Sequence, residues 1–166
     1  MSTASKILSQ VDVPSVDPAL LKICGVTEDP ALCANSILPH LKGLVEPANV
    51  LKTEIEACVE EAKKAMAIIE KMGSEQSLSA PMSSAIDSCK ETYTDLFDSL
   101  KSAKEAIFAH DIGTLTVMLS AVISDITTCD DGFVEMELPS PLEKLEVRTK
   151  VEKLAGNCLD MAKLVN

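Results

Sequence analysis

The chain has no tryptophan, one tyrosine and three phenylalanines, so its core has to be assembled from Leu, Ile, Val, Ala and Met, a set better suited to helices than to sheets. Glycine is equally sparse. Gly25, Gly43, Gly73, Gly113, Gly132 and Gly156 stand singly, and no glycine-rich loop exists to cradle a phosphate. The two histidines, His40 and His110, have no second ligand at zinc-finger spacing, and the sequence contains neither a Cys-x2-Cys pair nor a Glu-x-x-His pair of the kind a di-iron bundle uses. No metal and no cofactor are expected, and a catalytic thiol lacks its setting. Bases are outnumbered too: 15 against 26 acids leave a net charge of −11, which repels phosphate backbones and anionic surfaces and argues against nucleic acid or membrane as partner. No run is expected to span a membrane. The start, MSTASKILSQVDVPSVDP, lacks the continuous apolar segment of a secretory signal, which leaves a trimmed secreted chain or a cytosolic one.

What the sequence does have is helical periodicity. With 166 residues one domain is the default: a loose segment over 1–16, then a single unit over 17–166 made of a helical hairpin (17–45) and a four-helix bundle (46–166). Asp17-Pro18 and Asp29-Pro30 are each an N-cap followed by proline at the first helical position, predicting short helices over 18–24 and 30–41 around the turn at Gly25–Glu28. Four longer stripes recur at three and four residues. The first runs Leu51, Ile55, Cys58, Ala62, Ala65, Ile69, Met72, with Gly73 as its stop. The second runs Met82, Ile86, Cys89, Tyr93, Leu96, Leu100, Ala103, Ile107. The third, capped by Asp111, runs Leu115, Leu119, Val122, Ile126 and is expected to end at Thr128-Cys129; the fourth includes Val147, Val151, Leu154, Cys158 and Val165. Short to moderate connections predict an all-α, up-down-up-down bundle.

Six cysteines test that arrangement. The hairpin brings Cys24 and Cys33 together. Cys89 lies 21 residues before His110 and Cys129 lies 19 after it, about 3 Å apart in height on antiparallel helices, so their register permits a bridge. Cys58–Cys89 is excluded by a mismatch of roughly 10 Å. Cys58 and Cys158 both fall on apolar stripes and are either a third bridge or two buried thiols acting as small hydrophobes. Structural disulfides place the chain in an oxidising, secretory compartment. The adjacent acids Glu60-Glu61 and Asp130-Asp131 read as solvated charge rather than as acid–base pairs. By elimination the physics favours a binding protein over an enzyme.

Three stretches together resemble the plant invertase and pectin methylesterase inhibitor family. CGVTEDPALC, residues 24–33, is similar to its N-terminal Cys-x8-Cys hairpin. CKETYTDLFDSL, residues 89–100, resembles the segment Cys-x3-Tyr-x-Asp-Ala-x3-Leu at Cys89, Tyr93, Asp95 and Leu100, with Leu96 in place of the usual Ala. LSAVISDITTCDDGF, residues 119–133, resembles a third segment at Leu119, Ser120, Ala121, Thr128, Cys129, Asp131 and Phe133. The resemblance implies a disulfide-stapled four-helix bundle with an N-terminal hairpin, bridged Cys24–Cys33 and Cys89–Cys129; a cysteine near Cys158 is common in the family, whereas Cys58 is a departure. It also implies a secreted cell-wall protein from which the signal has been trimmed.

The family divides between two targets. Inhibitors of acid invertase carry Pro-Lys-Phe in a loop before the third bundle helix, but the corresponding residues here are Ile112-Gly113-Thr114. The resemblance therefore implies an inhibitor of pectin methylesterase that covers the pectin-binding cleft in a non-covalent 1:1 complex, with acid invertase as the alternative target. It places Thr128 near the centre of contact and Glu91, Asp95 and Asp131 as acidic contacts around it; Glu91 and Asp95, four apart, share one helix face. Against this stands the plainer reading of ordinary solvated acids and a threonine that ends a helix. A small-molecule carrier or pollen-type structural protein on the same bundle is a further alternative, to be recognised by a closed internal cavity.

Overall fold

A computed structural model describes residues 16–143 and 145–165. Among the described residues six helices follow one another: α1 (Pro18–Cys24), α2 (Pro30–Ile37), α3 (Pro47–Gly73), α4 (Ala80–Phe108), α5 (Ile112–Glu135) and α6 (Glu146–Ala162). No strand occurs among the described residues. The expected loose segment falls almost wholly outside them; Val16, its last residue, is buried.

The local signals explain where the helices start. Asp17 accepts from the Ala19 amide at 2.8 Å, Asp29 from Leu32 at 3.1 Å, and Asp111 from Thr114 at 3.0 Å, each satisfying an amide that the first turn leaves unpaired. Ser79 caps α4 in the same way. α2 ends at Ile37 rather than at 41, because Pro39 has no amide to donate, although Leu38 before it keeps helical angles. α5 runs six residues beyond the expected Cys129, since Phe133 is the next rung of its buried stripe. Its end is a Schellman motif in which Leu138 donates to the Phe133 carbonyl and Glu137 to Val134, with Glu137 at φ 57°. α4 closes alike, Asp111 donating to Ala106 and His110 to Ile107, with His110 at φ 54°. Gly73 has a different role from a left-handed stop. A Cβ there would meet Lys90 Nζ at 2.8 Å and Ile86 Cγ2 at 3.2 Å, so its missing side chain lets α3 approach α4.

The four long helices form a ring of antiparallel neighbours, α3–α4–α5–α6 and back to α3, and the hairpin α1–α2 lies against α3 and α6. Their stripes merge with Leu20, Ile23 and Ile37 of the hairpin into one core, in which Tyr93 and Phe133 are the bulkiest buried side chains. Burying each Leu or Ile contributes roughly 1.5–3 kcal/mol. By length and composition α5 could cross a membrane, against the expectation from sequence. It carries Asp125, Asp130 and Asp131, buries one stripe in the core and is bridged to α4, which is the pattern of a bundle helix.

Two disulfides are present, Cys24–Cys33 and Cys89–Cys129, with Cα separations of 5.6 and 4.5 Å. Cys58 and Cys158 are buried free thiols. Cys58 Sγ lies 3.8 Å from the Val151 carbonyl, and Val151 precedes Cys158 by two helical turns, roughly 10 Å, so the third bridge fails on register. Burial raises both thiols above the ordinary range, and the carboxyl of Glu54 adds to the effect.

Candidate functional site

On the side of the bundle away from the hairpin, α4 and α5 expose a continuous face. Cys89–Cys129 fixes its register. Glu91 stands two residues past Cys89 and Thr128 one before Cys129, so in antiparallel helices they come level. Asp95, one turn along α4, is opposed by Asp125 of α5, and the two carboxylates repel: burial and then Asp95 raise the Asp125 carboxyl above the usual range. At the other end Gly132 faces Ser88, whose Oγ lies 3.7 Å from where a Cβ would sit. Glu91, Asp95, Thr128 and Asp131 are all exposed. Asp95 borders the α4–α5 seam with Thr128 on the α5 side, and Glu91 stands level with Thr128 towards the outer crest of α4. Asp131 stands three residues beyond Thr128, towards the outer crest of α5 rather than at the seam.

Thr128 lies inside α5 and does not end it. Its hydroxyl donates to the Ser124 carbonyl at 2.8 Å, leaving the methyl and the remaining lone pair towards solvent. The face is acidic and nearly free of bases. α5 contains no Lys, Arg or His, and two lysines of α4 lean to the opposite flank, Lys90 against Gly73 and Lys104 to Glu56 at 2.8 Å. Asp125 escaped the sequence reading. Its position three residues before Thr128 was the available signal, but its opposition to Asp95 depends on the α4–α5 pairing.

The adjacent acids do not behave as solvated pairs. One member of each is exposed, Glu60 and Asp131, while the other turns inward. Glu61 is 8% exposed and meets Lys64 at 3.2 Å and Lys150 at 3.7 Å. Asp130 meets Arg148 at 2.6 Å. Consecutive helical residues point about 100° apart, so one of two can face the neighbouring helix. Glu61 also lines a surface cleft of about 810 Å³ between the end of the hairpin and α3/α6, with Lys42, Glu56, Glu60, Lys64 and Lys150. Acids and bases mix there, so the cleft carries no net preference for a charged ligand. It opens outward and is not the closed cavity that a carrier would need.

Comparison with known proteins gives this architecture a context. The family model described as plant invertase/pectin methylesterase inhibitor matches residues 19–161. Over 163 residues the chain is 24% identical to the pectinesterase inhibitor of Actinidia deliciosa, covering 97% of this chain and 86% of that protein. It is 27% identical over 141 residues to the putative pectinesterase/pectinesterase inhibitor 26 of Arabidopsis thaliana, 78% of this chain but 15% of that much longer protein. Among solved structures, a mutant form of a pectin methylesterase inhibitor from Arabidopsis superposes with a TM-score of 0.69 at 16% identity, over 90% of this chain and 99% of that one. That likeness is one of fold.

Proposed function

The chain belongs to the plant invertase/pectin methylesterase inhibitor family, and from that premise we propose that it inhibits pectin methylesterase by a non-covalent 1:1 complex in which the α4/α5 face covers the pectin-binding cleft. It makes and breaks no bond. Inhibition on this reading is occlusion: a rigid helical face occupies the groove that a polyuronate chain must enter. Carboxylates at Glu91, Asp95 and Asp131 suit a groove shaped for a polyanion, because they offer acceptors to the groups that bind the substrate's own carboxylates. Thr128 supplies a small, already satisfied centre against which a partner can pack closely.

The observation that carries the choice of target is the α4–α5 connection. α4 ends at Phe108 and α5 begins at Ile112 under the Asp111 cap, so the positions where an invertase-directed loop would project are the first turn of a helix. The names of the relatives point the same way. Two disulfides suit a secreted, cell-wall protein. The test is to assay purified pectin methylesterase and acid invertase side by side at about pH 5.5 with micromolar inhibitor, a concentration that saturates a complex of ordinary strength. Loss of esterase activity with invertase untouched is the expected result; the reverse pattern transfers the target to invertase, and inhibition of neither removes the inhibitor reading.

A further inference from the structure

Opposite the α4/α5 face, the hairpin meets the bundle through a contact with unusual proton arithmetic. Glu54 of α3 is completely buried. Its two carboxyl oxygens lie 2.9 and 3.0 Å from Ser36 Oγ on α2, and the same Oγ lies 2.6 Å from the Leu32 carbonyl. A serine hydroxyl has one proton to give, and a carbonyl can only accept. The short bond to Leu32 therefore uses the serine proton, and the bond to Glu54 is completed by a proton carried on Glu54. The chain runs from a neutral Glu54 carboxyl to Ser36 Oγ and on to Leu32.

The surroundings favour that neutral form. From the hairpin Glu54 faces the carboxylate of Asp29; from α6, the thiol of Cys158; on its own helix, the thiol of Cys58. α4 contributes Tyr93, which neighbours Cys58. α1 turns Leu20, Ile23 and the bridged Cys24 inward and leaves Lys22 exposed. Of the bases near the hairpin, Lys153 of α6 is engaged by Asp29 at 3.6 Å, Lys64 and Lys150 by Glu61 at 3.2 and 3.7 Å, and Lys42 lines the cleft beside Ser36. Burial, with Asp29 adding to it, raises the Glu54 carboxyl to about 8, even allowing for a Ser36 hydroxyl turned towards the carboxylate, which would lower it. Without its proton, Glu54 would be a buried charge with one hydroxyl for support.

We propose that Ser36 and Glu54 form a pH-operated latch that holds the far end of α2 on the bundle while Glu54 carries its proton and lets it go when the proton is lost. The near end of the hairpin has other anchors. Asn157 bonds the Asp29 amide and carbonyl at 3.1 and 3.0 Å, and Asp160 accepts from Glu28 at 3.0 Å. Release is therefore local: it frees the end of α2, while Asn49 of α3 still holds the Lys42 and Leu44 carbonyls at 2.7 and 2.8 Å and the Cys24–Cys33 turn stays on α6. The hairpin is seated in an acidic medium and loosened in an alkaline one.

The experiment is amide hydrogen exchange on the full chain from about pH 5.5 to about pH 9, with Glu54→Gln measured at every pH so that intrinsic exchange cancels. Gln keeps a neutral donor to Ser36. The expected ratio of wild-type to variant exchange over 34–41 is near one at the acidic end and about tenfold or more at the alkaline end, with α4 and α5 unchanged. A ratio that stays flat across the range overturns the latch, as does an increase spread evenly over the whole bundle. Should the variant not fold, a carboxyl carbon NMR titration of the wild type decides. A Glu54 midpoint above about 7, shared by the amides of Ile37 and Leu38, supports the latch; a midpoint near the ordinary 4.5 overturns it.

Discussion

Arg148 places Nε and Nη2 on one carboxylate oxygen of Asp130, at 2.9 and 2.6 Å, and joins the end of α5 to the start of α6. It is the sole arginine of the chain. The other Asp130 oxygen accepts from Ser140 at 3.1 Å, and Ser140 in turn accepts from the Leu142 amide, so one carboxylate ties both Ser140 of the connecting segment and Arg148 of α6 to α5. Arg148 also reaches Glu152.

Removing Arg148 is therefore expected to cost more than a surface ion pair does. Arg148→Ala leaves Asp130 nearly buried without its cation. Because both side chains keep 13–14% exposure, the loss should fall below that of a fully buried pair, at about 2–3 kcal/mol. Urea unfolding reads this as a lower midpoint at unchanged slope. A shift below about 0.5 kcal/mol would demote the contact to surface decoration.

The two disulfides should contribute unequally. Cys89–Cys129 closes a sequence separation of 40 and Cys24–Cys33 one of 9. Loop-closure entropy gives about 4 kcal/mol for the first and about 2.5 for the second. Paired Cys→Ser variants, unfolded in urea, should keep that order; the reverse order would mean that strain or residual structure in the unfolded chain outweighs entropy.

Cys58 and Cys158 should be silent towards a thiol reagent in the native protein and count as two on unfolding. Both are completely buried, and burial disfavours the reactive thiolate. Mass spectrometry after alkylation, with and without guanidinium, checks it. A mass showing three bridges would restore the register that the Cys58–Val151 contact denies.

Much of this architecture was legible in the sequence because its signals are local. Asp-Pro caps and three-four stripes were sufficient for the hairpin and the bundle, and a register counted through the tight turn at His110 permitted Cys89–Cys129. What escaped reading depends on partners distant in the chain. α3 and α6 share no turn, so the Cys58–Cys158 register could not be counted. α5 passed Cys129 because Phe133 finds the core, which outweighs Gly132 and the acids before it. Glu61 and Asp130 turned inward to Lys150 and Arg148, side chains 89 and 18 residues away. In the candidate site, the face of Glu91 and Asp95 followed from spacing alone, whereas Asp125 required the α4–α5 pairing.

Two acids should give stability opposite pH dependences. Glu54 has a folded value near 8 against 4.5 unfolded. Between those values the unfolded chain has lost a proton that the folded one keeps, so stability falls as pH rises from about 4.5 to about 8, by up to about 1.4 kcal/mol per pH unit. Asp111 is held below its ordinary value by bonds from the Thr114 hydroxyl and amide; its contribution is present above the unfolded value near 3.8 and lost as pH falls through the lower folded one. Thermal unfolding across this range should show Glu54→Gln gaining on the wild type towards alkaline pH. Parallel curves for the two proteins would mean that Glu54 ionises without cost.

Thr128 gives the sharpest test of the proposed face because its own structure asks so little of it. The side chain is exposed, its hydroxyl bonds within its own helix, and α5 continues for seven residues beyond it. Thr128→Trp therefore adds bulk to a surface without opening a cavity or stranding a buried polar group, and the unfolding midpoint should move by less than about 0.5 kcal/mol. A partner packed over the α4/α5 seam would have to move aside or lose its fit. Inhibition of pectin methylesterase is expected to weaken tenfold or more, about 1.4 kcal/mol. A second variant, Lys101→Ala, lies on the exposed side of α4 away from α5 and should leave potency unchanged. Full potency in Thr128→Trp with an unaltered unfolding curve would move the contact surface off Thr128; loss of potency with a matching loss of stability would assign the effect to folding instead.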